Sequence, residues 1–183
     1  MAGRREATIE DLYQVDGKAE IVGGELVLMS PTGWLPGFAG LRVAISLDEY
    51  GRRTKTGYSV PDNVGFVVNL PNRRSFSPDV AFTTEPPLTG KFIDGAPIFA
   101  VEVRSEGDYG PTAERAIADK RADYFAAGTL VVWDVDVLKE QVVHVYRASD
   151  PSTPITYRRG ELAEAEPALP GWTMPVDDLF PSE

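Results

Sequence analysis

Apolar residues occur along the chain in short runs, and the spacing of these runs predicts alternating helices and strands. Residues 8–13 are predicted as a short helix that begins with a threonine cap. Two apolar runs within residues 19–29 flank Gly23-Gly24, and this arrangement predicts a β-hairpin. Residues 38–51 are predicted as a second helix, because apolar residues recur there at helical spacing: Leu41 and Ile45, and with them Val43, Ala44 and Leu47.

The middle of the chain contains three predicted strands, at residues 58–60, 64–68 and 79–82. The polar stretch 69–77 separates the second strand from the third and is predicted as a loop. Residues 85–97 are rich in proline and glycine, which predicts a long surface loop.

The second half of the chain predicts a strand-helix-strand unit. Residues 98–103 are apolar and β-branched, Pro111 opens a helix that Gly128 closes, and residues 129–135 form the next strand. Such a unit joins parallel neighbouring strands. Residues 141–147 are expected to pair antiparallel with 129–135, and a last strand at 155–158 precedes a turn at 176–180.

This order of elements predicts an α/β (α+β) fold in which helices flank a mixed central β-sheet, with an N-terminal β-hairpin. At 183 residues the chain is long enough to bury a core, and we expect a single domain spanning residues 1–183. No stretch approaches the length of a membrane-spanning segment, and the first six residues lack an apolar signal region. We therefore predict a soluble, cytoplasmic protein.

Composition excludes several kinds of site. The chain has no cysteine, which rules out disulfides and thiolate metal sites, and its one histidine, His144, cannot build a zinc site alone. The net charge of −10 argues against strong nonspecific binding of nucleic acid. Small basic clusters such as Arg73-Arg74 are expected to be solvated loops. An acidic nuclease remains open, because bound metal ions offset carboxylate charge.

Glu102 and Asp79 are acidic residues at strand-like positions. Glu102 interrupts an otherwise apolar run, which favours a strand covered on both faces and a site at its end, although a glutamate on an edge strand is the alternative. Asp79 follows Pro78, which cannot donate to a sheet and therefore marks a strand start. A local turn acceptor and a functional carboxylate are both open for Asp79.

Lys120 lies on the apolar side of its predicted helix. A lysine on a packed helix face must either extend to solvent or meet carboxylates. Asp79 and Glu102 are both available in the predicted fold, so these three residues suggest one shared site for metal-dependent phosphodiester hydrolysis. The apolar stripe around Lys120 consists of Ala113, Ile117, Tyr124 and Ala127.

Other acidic residues carry less weight. Glu20 and Glu25 flank the Gly-Gly turn and could approach the site from the hairpin, but exposed hairpin charges are the simpler interpretation. Asp134 and Asp136 alternate near a strand end, where acidic residues are usually solvated.

Several ordered motifs resemble the Uma family, a widespread bacterial group of restriction-endonuclease-like domains in the PD-(D/E)XK nuclease-like superfamily. The resemblance covers roughly residues 8–180 and implies the restriction-endonuclease-like form of the predicted fold. In the wider superfamily a lysine follows the second acidic residue by two positions, where this chain has Arg104, which cannot accept a proton near neutral pH. The resemblance implies that Lys120 supplies the lysine instead. It is carried by Ala19–Leu26, Met29–Thr32, Ser77–Val80, Val101–Ser105, Asp119-Lys120, Tyr124–Gly128 and Val132–Asp136.

The resemblance implies a Mg²⁺-dependent endonuclease that hydrolyses phosphodiester bonds in DNA. Asp79 and Glu102 would hold Mg²⁺ or Mn²⁺, and Lys120 would orient a water molecule or neutralise the transition state. Glu20 or Glu25 would complete the metal shell. Nucleases of this kind commonly pair, which implies a homodimer, and the apolar segment 169–180 could cover either the core or a partner.

The alternative is a non-catalytic module that keeps the nuclease-like scaffold for binding or assembly. The net charge of −10 favours it, as does Arg104 at the usual lysine position. Related chains also often carry a histidine shortly after the Ser-Pro-Thr segment, and residues 34–38 contain none.

Overall fold

A computed structural model describes residues 5–182 of the chain. Within that range the helices are Ile9–Tyr13 (α1), Trp34–Thr54 (α2) and Pro111–Ala126 (α3), with a 3-10 helix at Val176–Leu179. The strands are Ala19–Val22 (β1), Glu25–Leu28 (β2), Tyr58–Val60 (β3), Phe66–Val67 (β4), Ser75–Phe76 (β5), Val80–Thr83 (β6), Ile93–Asp94 (β7), Phe99–Val103 (β8), Val131–Asp136 (β9), Val142–Arg147 (β10), Asp150–Arg158 (β11), Leu162–Glu164 (β12) and Thr173–Pro175 (β13).

A six-stranded mixed sheet forms the centre of the molecule. Its strand order is β11-β10-β9-β8-β6-β3, and β8 and β9 are parallel neighbours while every other adjacent pair is antiparallel. Helix α3 connects β8 to β9, which confirms the predicted strand-helix-strand unit. The mixed sheet with flanking helices confirms the predicted fold class.

The two faces of this sheet are covered by different parts of the chain. Val101 and Val103 of β8 pack on the face covered by α2 and by the C-terminal segment around Trp172. Ala100 packs on the opposite face, with Tyr124 of α3 and the small sheet β5-β4-β7. Because side chains alternate along a strand, Glu102 lies on the same face as Ala100 and is directed toward α3.

The N-terminal elements agree with the prediction. Helix α1 begins after Thr8, whose hydroxyl accepts a hydrogen bond from the Asp11 amide at 3.2 Å, while the Asp11 carboxylate accepts one from the Thr8 amide at 2.8 Å. Strands β1 and β2 pair antiparallel through Gly23 and Gly24, whose φ angles of +57° and +76° are those that glycine adopts without strain.

Helix α2 is longer than predicted, and its buried side agrees only in part with the prediction. It begins at Trp34, and Pro36 is tolerated in the first turn, where a backbone amide has no partner within the helix. Of the apolar positions named for this helix, Val43 and Leu47 are buried, but the assignment of Leu41 and Ile45 to the apolar side is wrong, because both are exposed. The buried side consists of Pro36, Ala39, Val43, Leu47, Tyr50 and Gly51.

Several short strands were not predicted. β5 lies within the predicted loop 69–77, and β7 lies within the predicted loop 85–97. Two-residue strands are too short to display an alternating pattern, so their pairing depends on contacts with distant segments. β12 and β13 in the C-terminal segment, with three residues each, were also missed, and they too are too short to display a clear alternation.

The C-terminal segment covers the core. Leu169, Trp172, Met174 and Leu179 are almost completely buried against the central sheet, which decides between the two interpretations of residues 169–180. In the described range, no helix is long and apolar enough to cross a membrane. Residues 1–4, which belong to the N-terminal stretch that lacks an apolar signal region, lie outside the described residues.

Candidate active site

A cleft of about 1010 Å³ brings together the three residues singled out by the sequence. Asp79, Glu102 and Lys120 all line it, although they come from a strand start, a strand and a helix. The segment after β8 and the chain on either side of the β1–β2 hairpin also contribute to its walls.

Asp79 and Glu102 lie side by side because β6 and β8 pair antiparallel. Val80 is opposite Val101 in this pairing, so the next position places Asp79 opposite Glu102. The amide of Val103 donates a hydrogen bond to Oδ2 of Asp79 at 2.7 Å, which fixes the aspartate against the end of β8.

Lys120 reaches Glu102 from α3. Its Nζ lies 2.8 Å from Oε1 of Glu102 and 2.9 Å from Oε1 of Glu20. Tyr124, one turn further along α3, donates its hydroxyl to the same Oε1 of Glu102 at 2.6 Å. The ring of Tyr124 stacks on Phe76 at 4.1 Å, so that the helix face around Lys120 is firmly packed.

Glu20 is buried, contrary to its interpretation as an exposed hairpin charge. It is only 2% exposed, because β1 packs against the chain that leads from Arg73 to Ser77. The Ser77 amide donates to its Oε1 at 2.8 Å, and Arg73 donates to its Oε2 at 2.5 Å. With Lys120 as a third partner, Glu20 holds the lysine in place. Glu25 lies on the exposed strand β2 and is not among the described residues that line the cleft.

Arg73 contradicts the prediction that its basic cluster is a solvated loop. It is 5% exposed and forms ion pairs with Glu20 and with Asp123 of α3, the latter at 2.8 Å. Its guanidinium also lies over the ring of Phe76. Its partners are about fifty positions away in the chain, so no local pattern distinguishes Arg73 from the exposed Arg74.

Lys18 is the functional candidate that the sequence did not reveal. Its Nζ lies 2.7 Å from Oδ1 of Asp79 and 2.6 Å from Oδ1 of Asp62, and its side chain is 16% exposed. A signal was available, because Lys18 precedes Glu20 by two positions, and residues two apart on an extended segment point the same way.

Arg104 lines the cleft but is occupied by structural contacts. Its guanidinium donates to both carboxylate oxygens of Asp134, at 2.7 and 2.8 Å, and also binds Glu114 of α3. Hydrogen bonding to Asp134 raises the pKa of Arg104 further above its ordinary value, so the guanidinium remains charged.

The prediction that Asp134 and Asp136 are solvated is wrong, since each is 2% exposed. Asp136 accepts hydrogen bonds from the Tyr109 hydroxyl and two backbone amides.

The carboxylates of the cleft differ in their ionisation. Burial raises the pKa of Glu102 to about 7, and the charges of Asp79 and Glu20 add to this effect although Lys120 opposes it. Burial acts in the same direction on Glu20, but Lys120 and Arg73 outweigh it, so the pKa of Glu20 is lowered. Burial opposes the charge of Lys120, but the carboxylates of Glu102 and Glu20 raise the pKa of this lysine above its ordinary value. Lys120 is therefore a fixed positive charge near neutral pH.

The donor set and the charge of this cluster fit a divalent cation at Asp79 and Glu102. Across residues 5–182, no group of three or more histidine or acidic side chains is arranged to hold a metal together, because lysines lie between the carboxylates. Oε2 of Glu102 accepts no hydrogen bond from a described residue. Three cations face five carboxylates, which leaves two negative charges when Glu102 is ionised. The groups are Lys18, Arg73 and Lys120, with Glu20, Asp62, Asp79, Glu102 and Asp123.

Comparisons with known proteins agree with this architecture. The family model described as "Uma2: Putative restriction endonuclease" matches residues 7–177. A similar solved structure, from Anabaena variabilis ATCC 29413, is described as "a putative nuclease belonging to DUF820". It superposes with a TM-score of 0.74 over 95% of this chain and 97% of that chain, at 15% identity, which supports the shared fold. No curated protein matches the chain.

Proposed function

Because the chain belongs to the Uma2 family, described as "Putative restriction endonuclease", we propose that it is a Mg²⁺-dependent endonuclease that hydrolyses phosphodiester bonds in DNA. One observation carries this proposal. Asp79, Glu102 and Lys120 come from three separate elements and meet in one cleft, with Lys120 at 2.8 Å from Glu102. Two carboxylates can hold a divalent ion, and a charged lysine beside them can stabilise negative charge that develops on a phosphate.

Asp79 and Glu102 are the proposed ligands for Mg²⁺ or Mn²⁺. Both are hard oxygen donors, and the excess of negative charge around them favours a divalent cation. When bound, such an ion lowers the pKa of a coordinated water and offsets charge on the scissile phosphate. The Val103 amide keeps Asp79 in place, and Tyr124 orients the Glu102 carboxylate through Oε1.

Lys120 acts as a charge in this proposal rather than as a proton acceptor. Its pKa is raised by Glu102 and Glu20, despite burial, so the ammonium group persists near neutral pH. It can donate hydrogen bonds to the attacking water or to a phosphate oxygen on which negative charge develops. Glu20 is assigned to the positioning of Lys120, because both of its oxygens already have protein partners: Oε1 accepts the Ser77 amide and Lys120, and Oε2 accepts Arg73.

The test is cleavage of duplex DNA, single-stranded DNA and RNA with Mg²⁺, with Mn²⁺ and with a chelator. Asp79→Asn, Glu102→Gln and Lys120→Met are each expected to lower metal-dependent DNA cleavage by roughly 10²-fold or more. Matched controls are Asp94→Asn, Glu85→Gln and Lys91→Met, which alter exposed residues outside the cleft. Circular dichroism verifies that each variant folds. Equal cleavage by the site variants and their controls would refute the assignment.

A non-catalytic nuclease-fold module that serves binding or assembly is the second candidate. The ion pairs favour it, because Lys18 and Lys120 already neutralise carboxylates that a metal would otherwise need to balance. The net charge of −10 also disfavours a tight hold on DNA. The same assay separates the two candidates, since a non-catalytic module cleaves none of the substrates with either metal.

We also propose that the protein is a homodimer and that it is located in the cytoplasm. Support for a dimer comes from an exposed apolar stripe on α2, in which Trp34, Leu41 and Ile45 are 70%, 56% and 42% exposed. With Phe38, these residues are spaced as in a helix-helix seam. Light scattering should give twice the monomer mass for the unaltered protein and the monomer mass for Leu41→Glu. A monomer without the substitution would contradict the proposal.

A further inference from the structure

We propose that Lys18 is the internal counter-cation of this site: it neutralises Asp79 in the metal-free protein and moves off Asp79 when a divalent ion binds. The inference rests on the proposed function, because it takes Asp79 to be a metal ligand. It adds a residue that sets metal affinity and that lies outside the carboxylate-lysine set already described. Lys18 lines the cleft together with Asp79, Glu102 and Lys120.

The contacts of Asp79 identify the partner that can leave. Oδ2 accepts the Val103 amide, which the pairing of β6 with β8 holds in place. Oδ1 accepts the Lys18 ammonium at 2.7 Å, and this is a side-chain contact. A divalent ion that binds Asp79 through Oδ1 therefore competes with Lys18 and leaves the backbone hydrogen bond intact.

Asp62 provides a position to which Lys18 can withdraw. Its Oδ1 lies 2.6 Å from Nζ of Lys18 and also accepts the amide of Asn63 at 2.7 Å, which fixes the carboxylate in the turn before β4. Lys18 therefore retains a carboxylate partner when it leaves Asp79. A flexible four-carbon side chain makes this displacement a rotation about side-chain bonds.

The second lysine of the cleft is held more firmly. Lys120 lies between Glu102 and Glu20, and the Glu20 side chain is 3% exposed. The partners of Lys18 are Asp79 and Asp62, whose side chains are 28% and 56% exposed. Ion pairs near solvent are weaker than those in a buried network, so Lys18 is the cation that a metal displaces more readily.

The experiment measures Mn²⁺ affinity by calorimetry for the unaltered protein and for Lys18→Met. Removing a positive charge that competes for Oδ1 should tighten Mn²⁺ binding by roughly tenfold or more. Arg121→Met is the charge-matched control, because Arg121 also lines the cleft but lies beside Asp134 and Tyr146. Lys91→Met controls for loss of a distant exposed lysine, and both controls should change affinity by less than about threefold.

A double-mutant cycle provides a second readout. Asp62→Asn should weaken Mn²⁺ binding more in the presence of Lys18 than in the Lys18→Met background, since only the former loses the position to which Lys18 withdraws. Equal or weaker Mn²⁺ binding by Lys18→Met, while the unaltered protein binds, overturns the Lys18 inference alone. Absence of Mn²⁺ binding by both proteins overturns the inference together with the metal-dependent function. The two failures are therefore distinguishable.

Discussion

Glu102 couples the candidate site to pH. Burial raises its pKa from 4.5 to about 7, so ionising this residue costs free energy in the folded protein that is not required in the unfolded chain. When the pKa of a carboxyl group is higher in the folded protein than in the unfolded chain, its contribution to the free energy of unfolding is fully present below the unfolded pKa. That contribution is lost as pH rises through the folded pKa.

Metal-free protein should therefore lose stability relative to Glu102→Gln as the pH rises from about 5 to about 8. Since one pKa unit corresponds to about 1.4 kcal/mol, the free energy of unfolding of the unaltered protein should fall by roughly 2–3 kcal/mol relative to that of Glu102→Gln. Urea unfolding with a chelator present measures the difference at each pH. A difference between the two proteins that does not vary across this range would contradict burial as the cause of the raised pKa of Glu102.

Single residues of the site differed in how well the sequence identified them. Glu102 and Lys120 interrupt apolar patterns, and such an interruption is visible in the sequence. Arg73 and Lys18 lie outside regular elements, and their burial results from contacts with residues 44 to 61 positions away. Pattern analysis has no access to such contacts, so Arg73 was missed, and the two-residue spacing from Glu20 was the local signal that could have pointed to Lys18.

At the scale of elements, the end of α2 packs closely on the chain that enters β3. A Cβ atom at Gly51 would lie 2.6 Å from the carbonyl oxygen of Gly57 and 3.2 Å from the ring of Phe82. Gly40 lies in the same helix, and a Cβ atom there would meet only Val80 at 3.8 Å. Alanine substitution at these two glycines therefore distinguishes the effect of helix propensity on stability from the effect of close packing.

Gly51→Ala should destabilise the protein by about 1–3 kcal/mol, because the backbone of Gly57 must move to relieve the clash. Gly40→Ala should be neutral or stabilising by up to about 1 kcal/mol, as helix propensity predicts. Denaturant unfolding measures both changes. If Gly51→Ala stabilised the protein as much as Gly40→Ala, the close approach of α2 to β3 would be incorrect.

Elements with strong local signals were predicted well. The hairpin, the β8–α3–β9 unit and β10 were all found from apolar runs and from proline and glycine at their ends. The packing side of α2 was only partly identified, because small and apolar residues occur all around its N-terminal half: Val43 and Leu47 are buried, whereas Leu41 and Ile45 are exposed. Only contact with Val80 and Phe82 of the central sheet decides which side is buried.

At the scale of the whole molecule, the fold assembles the site from segments that lie far apart within the first two thirds of the chain. The hairpin region contributes Lys18 and Glu20, the central sheet contributes Asp79 and Glu102, and α3 contributes Lys120. The cluster keeps an excess of negative charge despite three cations. This excess, in a protein of net charge −10, is the reason to expect a metal ion between the protein and a phosphate backbone.

A crystal structure of the protein soaked in Mn²⁺ tests the central claim most directly. We predict an anomalous-difference peak at roughly 2.0–2.3 Å from one carboxylate oxygen of Asp79 and one of Glu102. We also predict that Lys18 is displaced toward Asp62. A saturating soak without a peak at these two residues, or with peaks only elsewhere, would contradict the account.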